Sequence, residues 1–116
     1  MHNSQLLIFF VRHSERMDDP GAELTDTDKS ISYPRCDCPI TQAGAQLSFE
    51  VGQQAREFVD ANFKKPYDLE FISSPFIRTL QTAAHFQYGF TGKVDTELTI
   101  NTSIVALINK KAQPVF

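Results

Sequence analysis

Arg12-His13-Ser14-Glu15-Arg16 sets an imidazole between two guanidinium groups within five residues. A neutral imidazole can attack phosphorus and form a covalent intermediate, and a guanidinium holds an oxyanion with paired N–H donors. The substrate that suits both groups is a phosphate. A third guanidinium, Arg78, follows Ser73-Ser74-Pro75-Phe76-Ile77. It falls in the first turn of an expected helix, close to free backbone N–H groups and the positive end of the helix dipole. A histidine and arginines around one point could bind a phosphoryl group and stabilise its charge during transfer.

The elements that must position these groups follow from periodicity. Leu6-Leu7-Ile8-Phe9-Phe10-Val11 has no clean alternation, which predicts a strand over residues 6–12 covered on both faces. Such a strand delivers Arg12 and His13 to the carboxyl edge of a sheet, where open α/β folds bind ligands. Residues 14–40 carry no sustained period and read as a long loop, either a substrate lid or a disordered insertion. Thr41 is the N-cap candidate of a helix whose apolar positions are Leu47, Val51, Ala55, Phe58, Val59 and Phe63, ended by Lys64-Lys65-Pro66. Leu69–Ser73 predicts a second strand. Ser74-Pro75 opens a second helix with Ile77, Leu80 and Ala84 on its apolar face and Tyr88-Gly89 as its stop. Lys93-Val94-Asp95 predicts a third short strand, and Ile104–Ile108 fits a helical turn or a strand equally. Phe71, Phe76, Phe86 and Phe90 are expected in the core. This alternation predicts an α/β fold, a mostly parallel sheet flanked by helices.

The chain has 116 residues, enough for one domain, and a net charge of -3. That balance gives no case for a nucleic acid or an anionic membrane as partner. The N-terminal apolar run is too short to span a bilayer and lacks the pattern of a secretory signal, so a cytoplasmic location is expected. Cys36 and Cys38 are one residue apart; they read as free loop thiols, since two thiols alone fill no zinc site.

Three blocks carry a resemblance to a known family: Val11–Arg16, Asp37-Cys38-Pro39-Ile40-Thr41-Gln42-Ala43-Gly44, and Ser73–Ala83. In order and spacing they resemble the histidine phosphatase superfamily, the phosphoglycerate mutase-like fold. Arg12–Asp18 looks most like the branch of ecdysteroid-phosphate phosphatases and T-cell-signalling suppressor phosphatases. The resemblance implies a phosphomonoester hydrolase in which His13 becomes phosphohistidine, Arg12 and Arg78 clamp the phosphate, and Arg16 adds a contact. No metal or organic cofactor is implied. Ser14 stands where the family has glycine. Glu15 either orients its neighbours or is a charged loop residue.

The sequence also departs from that pattern. The resemblance covers about the first hundred residues, the first half of the family domain, so residues 1–116 are expected to form a partial, truncated domain. The family's second histidine, on a Ser-His-Gly-like turn, has no counterpart. His2 precedes the first strand, and His85 lies two helical turns, about 10 Å, beyond Arg78. Ile100 occupies the position of the usual general acid, leaving Asp95 or Glu97 as substitutes. Two readings therefore stand side by side. One is a phosphatase acting on a phosphorylated small molecule or phosphoprotein. The other is a pseudoenzyme, binding phosphate or phosphoprotein without turnover or an inactive remnant. An uncovered sheet edge makes self-association an expectation.

Overall fold

The computed structural model describes residues 6–94 and 97–101. In chain order these form α1 (Asp26–Lys29), α2 (Gln42–Asn62), β1 (Ile72–Ser73), α3 (Ile77–Thr91) and β2 (Thr99–Ile100). The fold is mixed α/β: two long helices packed on each other, with a two-stranded parallel sheet beside α3. Among the described residues, no helix is long and apolar enough to cross a membrane.

The helices meet through small residues. Gly44, Ser48, Gly52, Ala55 and Val59 form the buried stripe of α2, at three- and four-residue spacing on one face. The Leu47, Val51 and Phe58 positions expected inside are exposed. The reason lies at the crossing. A methyl group on Gly52 would collide with the carbonyl of Phe86, and one on Gly89 would collide with the carbonyl of Phe49. Two glycines, one from each helix, thus let the backbones approach, and the larger side chains of α2 are turned away. On α3 the buried face is Thr82, Phe86, Gln87 and Phe90, rotated from the expected Ile77, Leu80 and Ala84. Ala55, Val59, Phe86 and Phe90 form the core, with Phe63, Tyr67 and Phe71 packed against it. Phe86 and Phe90 are buried as expected, whereas Phe71 and Phe76 are half-buried.

Helix boundaries follow their caps. The Thr41 hydroxyl accepts from the N–H of Gly44 at 3.0 Å, starting α2 where expected. Helix α3 runs past Gly89 to Thr91 and ends at Gly92, whose φ of 73° is the left-handed geometry a glycine tolerates. Gly89 continues the helix because the crossing, rather than a turn, demands it.

The strands depart most from expectation. Residues 6–12 belong to no ladder, because a strand needs a hydrogen-bonding neighbour and none lies beside this one among the described residues. The second strand shortens to Ile72–Ser73. The third is not at Lys93-Val94 but at Thr99–Ile100, where Thr99 donates to the Phe71 carbonyl and Asn101 to the Ser73 carbonyl at 2.9 and 2.8 Å. Asp95, His2 and residues 104–108 lie outside the described residues.

Candidate phosphate site

The three sequence blocks converge. Ser14 N–H donates to the Thr82 hydroxyl at 3.0 Å, and that hydroxyl donates to the Arg78 carbonyl at 2.7 Å. The His13–Ser14 peptide is thereby seated on the first turns of α3, one shared hydroxyl from Arg78. The Ser14 and Ser48 hydroxyls are hydrogen-bonded. Ser48 spends its only proton on the Gly44 carbonyl, so Ser14 is the donor of the pair. Glu15 docks on the start of α2: its carbonyl accepts from Thr41 N–H, and its carboxylate from the Thr41 hydroxyl, both at 2.9 Å. An anionic side chain there also suits the helix dipole. A Cβ at Gly44 would lie only 3.0 Å from the Glu15 carbonyl oxygen, which explains a glycine three residues after the cap.

The loop between the first two blocks is closed at its base by an antiparallel bridge between Arg16 and Ile40, with Met17 N–H donating to the Pro39 carbonyl at 3.0 Å. Ile40 N–H donates to the Gln81 side chain, and Asp37 accepts from Ile77 N–H, each at 2.9 Å. Asp37 thus caps α3 from forty residues away. Within the loop, Thr25 and Asp28 form a reciprocal capping box around α1, and the second carboxylate oxygen of Asp28 accepts from Gln42 N–H at 3.0 Å. Burial pushes the Asp28 carboxyl up, but donors from Thr25 and Gln42 outweigh it and leave it below the usual carboxylate value.

His13 is half-buried, and its Nδ1 lies 2.9 Å from the Ser14 carbonyl oxygen. A carbonyl only accepts, so Nδ1 donates here, and in the neutral form of the ring the lone pair is at Nε2. Of the predicted phosphate ligands, Arg12 is exposed. The Arg78 guanidinium lies over the Phe76 ring, 4.4 Å from its centroid, a cation–π contact that orients it. Arg16 is committed elsewhere: its guanidinium pairs with Asp18 at 2.7 Å. This hydrogen bond holds Arg16 above its ordinary value and Asp18 below its own.

The start of α3 is less open than expected. Asp37 takes the Ile77 N–H, and Thr79 and Leu80 donate to the Phe76 carbonyl. Glu97 is exposed, and its carbonyl accepts from Gln87 at 2.6 Å. Gln87 is nine residues beyond Arg78, about 13 Å along the helix. His85 is not with His13 either; it lines a groove of about 720 Å³ with Met17, Asp28, Ile40, Gln81 and Tyr88, and neither His13 nor Arg78 does. Thr82, Ser48 and Gln81 carry the site's framework without having been singled out; the signal was their place in or beside the blocks. No protein-family model, curated protein or solved structure matches the chain.

Proposed function

We propose that the chain is a phosphomonoester hydrolase working through a phosphohistidine on His13, and that its described residues are part of a phosphoglycerate mutase-like domain. The observation that carries this reading is the His13 Nδ1 to Ser14 carbonyl hydrogen bond, which directs the lone pair of the neutral ring to Nε2. In the reaction, the Nε2 lone pair attacks phosphorus as the ester P–O bond breaks, and the departing alkoxide takes a proton from an acid or water. Water then attacks the phosphoimidazole, the P–N bond breaks, and inorganic phosphate leaves with His13 restored. Arg78, with Arg12, neutralises the equatorial oxygens. The substrate is a phosphorylated small molecule or a phosphoprotein.

A second reading, phosphate binding without turnover, is favoured by the commitments of the neighbouring acids. Glu15, the carboxylate two residues from His13, is bonded to Thr41, and Glu97 is anchored toward the far end of α3. Hydrolysis of an aryl phosphate by the full chain beside His13→Ala separates the two. Turnover lost in the variant, with an acid-labile phosphoenzyme trapped only in the wild type, supports the hydrolase. Folded proteins with equal background rates, and phosphate binding that depends on Arg78, support the binder.

A further inference from the structure

Helix α3 begins with a residue that does not cap it. Phe76 holds the N-cap position, with φ of -68° and ψ of 143°, and supplies no side-chain hydrogen bond. Serine, threonine, asparagine and aspartate serve there because a side-chain oxygen accepts from the first free N–H groups, which an aromatic ring cannot do. The capping falls instead to Asp37, which takes the Ile77 N–H at 2.9 Å. Nor is Phe76 a core residue. It is half-buried, lies outside the cluster of Ala55, Val59, Phe86 and Phe90, and pairs with no other ring among the described residues. What its ring does meet is the Arg78 guanidinium, 4.4 Å from its centroid. Residues two apart within a helix do not face each other; the extended backbone at Phe76, just outside the helix, lets the ring reach Arg78.

We propose that Phe76 is a positioning residue for Arg78, holding the guanidinium ready for a phosphoryl group while leaving its N–H groups to the ligand. This rests on the reading above that Arg78 binds the phosphate, and it applies whether or not the phosphate is then hydrolysed. A ring attracts a cation through its π-face, whereas phosphate is held by the N–H donors along the guanidinium edge. The two contacts therefore do not compete. Among the described residues no hydrogen bond or ion pair takes the Arg78 donors. Arg16 shows the alternative: its partner is the Asp18 carboxylate at 2.7 Å, which uses an N–H group that a phosphate would need. An arginine ordered before binding also loses less rotamer freedom when the ligand arrives.

Calorimetry of the full chain with inorganic phosphate tests this. Phe76→Leu keeps apolar bulk and removes the π-face; it is expected to weaken phosphate binding about three- to tenfold, with helical circular dichroism unchanged. Phe76→Tyr keeps the ring and is expected to bind within about twofold of the wild type. In an Arg78→Ala background, Phe76→Leu is expected to cost nothing further, a dependence that a merely structural role would not show. The chain contains no tryptophan, so Phe76→Trp adds a single reporter and decides the matter if Phe76→Leu fails to fold. Its emission is expected to shift saturably with phosphate, and to stop responding once Arg78→Ala is added. Phosphate binding unchanged by Arg78→Ala overturns the Arg78 phosphate site and this inference with it. The positioning role alone is overturned by wild-type affinity in Phe76→Leu beside a loss in Arg78→Ala, by an equal loss from Phe76→Leu with and without Arg78, by Phe76→Tyr as weak as Phe76→Leu, or by Phe76→Trp emission blind to phosphate.

Discussion

The Ser14 N–H and the Thr82 hydroxyl are hydrogen-bonded at 3.0 Å across 68 residues of sequence, and Thr82 is almost wholly buried. This contact ties the peptide that follows His13 to the helix that carries Arg78. Thr82→Val keeps the shape and removes the hydroxyl, leaving the Ser14 donor and the Arg78 carbonyl without this partner. The expected cost is about 1–3 kcal/mol in denaturant unfolding. Thr82→Ser is expected to recover most of it. If His13 turns over phosphate, kcat should fall in the valine variant and return in the serine one.

Gly52→Ala and Gly89→Ala set helix propensity against packing. Propensity alone favours alanine by about 1 kcal/mol. Here a new methyl group meets the backbone of the other helix, so each substitution should destabilise by about 1–3 kcal/mol or more. Thermal melts of both variants check the sign. A gain in stability would show that the helices do not cross this closely.

Asp28 links pH to the docking of the loop. Its carboxyl titrates lower in the folded chain than in the unfolded one, so its contribution is present above the unfolded carboxyl value, about 3.9, and is lost as pH falls through the folded value. Asp28→Asn should lower the melting temperature at pH 7, and the gap to wild type should narrow toward pH 3. A gap that is constant with pH would contradict the assignment.

Arg78 and Arg16 should contribute unequally to phosphate binding. Arg16 is held by Asp18, whereas Arg78 is poised on an aromatic face. Calorimetry with inorganic phosphate is expected to show at least a tenfold loss for Arg78→Ala and a smaller loss for Arg16→Ala. Asp18→Asn should strengthen binding by releasing Arg16. Equal losses at the two arginines would mean the Asp18 pair opens when phosphate binds.

The amino-acid sequence by itself determined the two long helices, the cap at Thr41 and the nucleophile candidate, because these rest on local terms: side-chain capping, a repeating pattern, and the chemistry of one residue; α1, four residues inside the expected loop 14–40, was not among them. The resemblance grouped the blocks around positions 12, 40 and 78, and hydrogen bonds join them in the fold. The sequence could not determine which face of each helix turns inward. Leu47, Val51 and Phe58 outweigh Gly44, Ser48 and Gly52 in hydrophobicity, yet the small residues face α3 because two glycines allow the backbones to touch. The strand at Thr99–Ile100 was missed for a related reason: it exists by hydrogen bonds to the backbone on either side of Ile72, and pairing is a property of two segments rather than one. The same holds for residues 6–12, strand-like in composition and unpaired in the described fold. Only tertiary structure could assign Arg16 to Asp18 and the start of α3 to Asp37, since the sequence names donors and acceptors and the fold decides which of them meet.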